Sequence, residues 1–426
     1  MKRAQPIEAS TLKRAFRILG PGLITGASDD DPSGIGTYSM AGASLGFVTL
    51  WAMTLTLPLM IVVQYICGKI GLVSGRGLAG VLKRHYSRTW LYPVVIGLII
   101  ANTINAGVDI AAIAAAINIF APIPILALVF PVAGIILVVQ VWGSYRLISK
   151  TFKWLTLTLF AYVGAALLAT RNWGPVIKAT FVPTFRYDNQ YLTTLVAILG
   201  TTISPYLFFW QASEEVEEEI NMGRKRLRQR KGASNPELKS LMMDTVVGMI
   251  LSNVVSYFVI LASASTLHAA GRTNIQSASE AAEALRPVAG NAAALLFALG
   301  IVGSGFLAVP ILTSSAAYAV AETFSFKYGL NEKPSRAKQF YIVIAVSTIV
   351  GVLINFVGVN PITALFWTAV INGVLAPPML LLIMLVARNK RVMGTRINNR
   401  VSNLVGWATT ALLFLAALGM IITWKS

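Results

Sequence analysis

The sequence predicts an all-α membrane protein of eleven spanning helices, built as two five-helix repeats plus one additional helix, with spans 1 and 6 broken at mid-depth. Three observations carry this. Hydrophobic residues make up 56% of the 426 residues and charged residues only 12%, against about 25% charged in an ordinary soluble domain. Eleven stretches supply the roughly 20 largely apolar residues that a bilayer crossing needs. Spans 1 and 6 each carry a proline interruption, at corresponding places in the two halves. So few charges cannot cover a soluble surface, which excludes a soluble enzyme, a disordered chain and a DNA-binding protein. No nucleophile–base pair or nucleotide loop appears, so an enzyme is not expected. The single cysteine, Cys67, excludes disulfides and thiolate metal sites, and His85 and His268 are the only histidines.

The whole of 1–426 reads as one transporter-like membrane domain. Residues 1–15 form a polar, basic cytoplasmic segment, and no apolar core precedes a small-residue cleavage site, so no cleavable signal peptide is expected. Span 1 lies near 16–46 and span 2 near 47–70, paired as a hairpin by the short loop at Gly46. Spans 3 (90–119) and 4 (121–143) pair in the same way at Ala121-Pro122. Span 5 (151–170) completes the first repeat, 16–170. Span 6 (190–212) opens the second, 190–387. Behind it comes the longest polar stretch, Glu214 to Leu241, in which EEVEEE precedes GRKRLRQRK. Opposite charge blocks of this kind read as a solvated cytoplasmic loop. Spans 7 to 10 lie near 244–268, 288–325, 339–358 and 361–387, and 403–424 is the additional helix. Asn253 in span 7 and Asn372 in span 10 read as residues that bond across helices. Glu322, at the cytoplasmic end of span 8, reads as interfacial.

Orientation follows from the basic residues. With the N-terminus in the cytoplasm, 29 of the 35 Lys and Arg fall in inside segments and six outside. The positive-inside rule therefore places the C-terminus outside. The same asymmetry accounts for the net charge of +18 without a nucleic-acid partner.

Span 1 contains Gly26-Ala-Ser-Asp-Asp-Asp-Pro-Ser-Gly-Ile-Gly36. Each carboxylate costs about 2.5–3.5 kcal/mol at the bilayer centre, so three in a row need an offset such as a bound cation or a wet cavity. Asp31-Pro32 is a helix-restart signal, with Asp at the N-cap and Pro at the first helical position. The helix is expected to stop near Ser28 and resume at Pro32. Span 6 reads Gly200-Thr-Thr-Ile-Ser-Pro-Tyr206, where Pro205 removes a donor and frees carbonyls near Thr201. Broken backbone at membrane depth lines a cavity or lies within protein. Matching interruptions in two halves point to an inverted-repeat transporter with its site at the midplane.

Carbonyls, hydroxyls and carboxylates are hard donors that suit Mg²⁺, Mn²⁺ or Ca²⁺. Asp31 is the first candidate ligand, with Thr201–Ser204 carbonyls and the Ser33 or Ser204 hydroxyls in support, and Ser33 and Gly34 small enough to leave room for water. Asp29 and Asp30 read as vestibule charges that attract cations. Asp109 in span 3 is a lone intramembrane acid and so a functional candidate. It could carry a proton, touch the cation, partner a basic residue, or bond Asn102 or Asn105 for packing.

These motifs resemble the Nramp family of divalent metal transporters over nearly the whole chain. The resemblance rests on Gly20-Pro-Gly22 leading into Asp31-Pro32, on Gly71-Leu-Val-Ser-Gly-Arg-Gly-Leu-Ala79, on Asp109-Ile-Ala and on the interrupted span 6. It implies a LeuT-type fold, with spans 1–5 and 6–10 as inverted repeats, and alternating access. No cofactor is implied, because the metal ion is cargo. The family's Asp-Pro-Gly-Asn reads Asp31-Pro32-Ser33-Gly34 here, and its Met-Pro-His reads Ser204-Pro205-Tyr206. The acid expected three residues after Asp109 is Ala112. In this the chain looks like the Nramp-related magnesium transporters. The sequence thus predicts a carrier of Mg²⁺ and/or Mn²⁺ in the bilayer of a bacterial plasma membrane, not strictly proton-coupled, with Asp109, Tyr206 and Asn372 along its path. The competing expectations are a LeuT-type carrier of a small organic solute that has lost the metal site, and an ion-binding receptor. Oligomeric state is not encoded in any of these features.

Overall fold

The computed structural model describes residues 21–143 and 157–424. The segment expected over 1–15, Gly20, the start of span 5 and the basic residues Arg146, Lys150, Lys153 and Lys425 lie outside the described residues.

Span 1 folds as two helices, α1 (Pro21–Asp29) and α2 (Pro32–Leu45). The restart is chemical. The Asp31 carboxylate accepts the Gly34 amide at 2.6 Å and Pro32 begins the helix, so an orphan donor is satisfied and another is absent by construction. α2 ends at Gly46, whose φ of +62° a side chain would strain. The chain then turns into α3 (Leu50–Ser74), followed by the short α4 (Leu78–His85), α5 (Arg88–Asn118), α6 (Ile125–Trp142), α7 (Ala161–Ala169) and α8 (Trp173–Phe181).

Span 6 is likewise two helices, α9 (Asn189–Thr202) and α10 (Pro205–Asn221). After them come α11 (Asn235–Ser263), the short α12 (Ala278–Ala282), α13 (Ala293–Phe324), α14 (Lys338–Ile354), α15 (Pro361–Arg388) and α16 (Arg400–Thr423).

Among the described residues nine helical stretches are long and apolar enough to span, rather than the eleven expected. One of them, Pro32–Ser74, takes in both the second half of span 1 and span 2, and Leu157–Ala169 is a shorter apolar helix. The apolar window of Asn189–Asn221 is 94% buried, whereas those of α6 and α16 are 33% and 39% buried. Span 6 therefore sits at the centre, with α6 and α16 facing lipid.

Both breaks are held by backbone-to-backbone approach. A Cβ on Gly26 of α1 would lie 2.3 Å from the Gly248 carbonyl oxygen of α11. A Cβ on Gly200 of α9 would lie 2.2 Å from the Ala369 carbonyl oxygen of α15. Small residues allow such contacts between membrane helices.

Two expectations are corrected. EEVEEE is not a solvated loop, because α10 runs through it and buries Glu215, Glu217 and Glu219. Gln211 Nε2 donates to Glu215 at 2.9 Å and Arg224 Nη1 to Glu219 at 2.8 Å. Donors on the neighbouring turn and on the following segment make burial tolerable, and a charge run does not reveal them. The basic half does lie at the surface, with Lys225, Arg226, Arg228 and Lys231 exposed. Glu322 is not interfacial either. It is buried and accepts the Gly77 and Gly80 amides at 2.8 and 2.9 Å, where α4 begins.

Candidate cation site

The two breaks meet. Tyr206, the second residue of α10, donates its hydroxyl to the Ser28 carbonyl at 2.8 Å, near the end of α1. Tyr38 of α2 and Thr202 of α9 share a hydrogen bond of 3.0 Å. Ser315 of α13 donates to the Tyr206 carbonyl at 2.8 Å. Carbonyls that a broken helix leaves free are thus partly taken up across the breaks.

Asp31 stands at the junction, 2% exposed. Besides the Gly34 amide it accepts the Ser33 hydroxyl at 3.1 Å and Asn105 Nδ2 of α5 at 2.9 Å. Ser33 and Gly34 therefore touch Asp31 directly. A Cβ on Gly34 would lie 3.0 Å from the Thr201 hydroxyl, so α9 closes on the start of α2 here. Ser204 faces the other way. Its hydroxyl donates to the Gly200 and Thr201 carbonyls at 2.9 and 2.7 Å, back onto its own helix end.

Asp29 and Asp30 are buried rather than exposed in a vestibule. Ser252 of α11 donates to Asp29 at 2.6 Å, and Ser256 donates to Asp30 at 3.1 Å. The second Asp29 oxygen, Oδ1, has no partner. Asp109 is fully buried, and its carboxylate meets the Ser33 backbone amide but no side-chain donor. Asn102 reaches the Leu312 carbonyl instead, and Asn105 reaches Asp31, so neither pairs with Asp109. Asn372 is buried on α15 beside Gly373, whose backbone abuts Gly200. No group of three or more His, Cys, Asp or Glu forms a metal cage among the described residues. An ion here would rely on one or two carboxylates together with neutral oxygens and water.

The sequence reading did not single out Ser252 and Ser256. Their signal was a polar pair four residues apart in an apolar span, which places both on one helix face. A small cavity, lined in part by Gly36, Ser39, Ala112, Ile275, Phe297 and Leu365, lies one turn beyond Ser33 and Asp109. A wider one opens further along α5 between Ala115, Asn118, Gln276 and Asn360.

A model of the Nramp family (natural resistance-associated macrophage protein-like) matches residues 22–423. The divalent metal cation transporter MntH of Klebsiella pneumoniae (strain 342) is 23% identical over 407 residues, which is 94% of this chain and 92% of that one. A mutant of the manganese transporter of Eremococcus coleocola has a similar structure, with a TM-score of 0.73 at 17% identity over 97% of this chain and 88% of that one. Mhp1, a nucleobase-cation-symport-1 family transporter, gives a TM-score of 0.53 at 15% identity over 96% of this chain and 93% of that one. These structural likenesses speak for the fold, a LeuT-type arrangement with broken first and sixth spans.

Proposed function

The chain belongs to the Nramp family, and from that premise we propose that it moves divalent metal cations across the membrane by alternating access, with Mg²⁺ and/or Mn²⁺ as cargo. The observation that carries this reading is the buried Asp31 carboxylate, set at the break of span 1 and fixed by donors from Gly34, Ser33 and Asn105. The ion is substrate, and the family's transporters need no cofactor.

The choice of ion rests on the donors. Ser204 and Tyr206 stand where a thioether and an imidazole would favour softer ions, and both hydroxyls are engaged with backbone carbonyls. Thr201 and Gly34 shape the wall on that side. Mg²⁺ keeps several waters and suits a site with few protein ligands. Transport is not strictly proton-coupled on this reading. A membrane potential worth about 2.3 kcal/mol per charge per 100 mV draws a divalent ion inward unaided. Asp29 and Asp30 set the local field, and Asp109 and Asn372 border the route.

The two repeats, 16–170 and 190–387, rock around this site. The N-terminus lies in the cytoplasm and the C-terminus outside, in a bacterial plasma membrane. The ion enters past Asn118, Ala115 and Ala112 of α5, which line the two cavities, toward Asp109. In proteoliposomes Asp31→Ala is expected to abolish Mg²⁺ and Mn²⁺ uptake, and uptake equal to wild type by that variant would refute the assignment.

A further inference from the structure

We propose that the ion seat lies against α5, where the Asn105 side-chain oxygen and the Asp109 carboxylate join Asp31 as direct ligands of a hard divalent cation. This rests on the transport reading above and specifies its site. The side of the pocket formed by α9 offers little, since Ser204 is bonded to the Gly200 and Thr201 carbonyls. The α5 side is the reverse. Asn105 Oδ1 is a buried acceptor without a hydrogen-bond partner, the Asp109 carboxylate meets only the Ser33 backbone amide and no side-chain donor, and both residues are 0% exposed.

Asn105 and Asp109 are one helical turn apart and share a face. That face points at Asp31, because Asn105 Nδ2 donates to the second Asp31 oxygen at 2.9 Å. The bond fixes the amide plane and leaves its oxygen free. Buried acceptors are almost always satisfied in folded proteins, so an open amide oxygen one turn from a carboxylate that no side chain neutralises points to a missing partner on this face. Among the described residues no Lys or Arg forms an ion pair with Asp31 or Asp109.

A divalent cation matches the charge of two carboxylates. The amide oxygen adds a neutral hard donor, and waters complete the shell as Mg²⁺ prefers. Asp29 is bound to α11 through Ser252, away from the α5 face that carries Asn105 and Asp109. The site therefore moves from span 6 to span 3, which offers hard oxygens in place of the soft donor absent at Ser204.

The test uses the full-length protein in nanodiscs, with Mn²⁺ and Mg²⁺ as probes, comparing wild type with Asp31→Asn, Asn105→Ala and Asp109→Asn. The expected result is a loss of affinity of about 10- to 100-fold or more for Asn105→Ala and Asp109→Asn, with the metal-free variants still folded. Mn²⁺ electron–nuclear double resonance on protein carrying ¹³C-labelled aspartate should show coupling to both carboxylates in wild type and to a single one in Asp109→Asn. Binding equal to wild type by both Asn105→Ala and Asp109→Asn overturns the proposal. If Asp109→Asn does not fold, Asn105→Ala and the wild-type spectrum decide. Wild-type binding that Asp31→Asn removes and the α5 variants keep sinks this seat alone. No metal binding and no flux in wild type sinks the transport reading beneath it.

Discussion

At the scale of single residues, Asp31 has two tasks that substitution can separate. It caps α2 through the Gly34 amide, and it presents charge at the break. Loss of an N-cap costs about 0.5–2 kcal/mol. Asp31→Asn retains a capping oxygen, so thermal unfolding should show Asp31→Ala less stable than Asp31→Asn, while both lose metal flux. Equal Tm values for the two would remove the capping role. Tyr206 is the second test. Its hydroxyl satisfies the Ser28 carbonyl, and an unsatisfied buried group costs about 1–3 kcal/mol. Tyr206→Phe should lower Tm without adding or removing charge, and an unchanged Tm would mean that a water replaces the hydroxyl. Asp31 and Pro32 were legible in the sequence because carboxylates beside a proline are costly in an apolar span. The partners of Asp29 and Asp30 were not, since Ser252 and Ser256 lie 223 and 226 residues away and only the fold brings them near.

At the scale of elements, the ends of the broken helices are fastened across the bundle. Asp244 of α11 accepts the Gly22 and Leu23 amides at 2.6 and 3.2 Å, capping α1 from another helix. Thr25 of α1 donates to Gln211 of α10 at 2.6 Å. These contacts fasten α1 to α10 and α11 at the end that the positive-inside reading assigns to the cytoplasm. Asp244→Ala should release it. Hydrogen exchange over 21–29 should rise, and a thiol reagent should reach Ser28→Cys faster from the cytoplasmic side. Protection equal to wild type would show that the contact between α1 and α11 at Gly26 and Gly248 suffices alone. The sequence located both breaks to within a residue or two, because proline and the N-cap are local rules. It misjudged the acidic run after span 6, because helix continuation and burial there depend on Gln211, Arg224 and other tertiary partners.

At the scale of the whole molecule, the prediction concerns direction and driving force. The N-in, C-out reading implies that a cysteine placed at Trp424 reacts with an impermeant reagent from outside, and labelling from inside only would reverse the orientation. The architecture was legible because apolar length and charge asymmetry follow from the bilayer itself. The central seating of span 6 was not, since hydropathy cannot tell a helix in the core from one in lipid. On the proposed function a hard divalent ion passes through the Asp31 pocket without an obligatory proton. The most direct measurement is uptake of Mg²⁺ and Mn²⁺ into proteoliposomes at a fixed inside-negative potential, with lumenal pH recorded together. The account predicts uptake of at least one ion that follows the potential, no coupled acidification, and loss of the signal in Asp31→Ala. Stoichiometric proton influx, or metal uptake that survives Asp31→Ala, would contradict it.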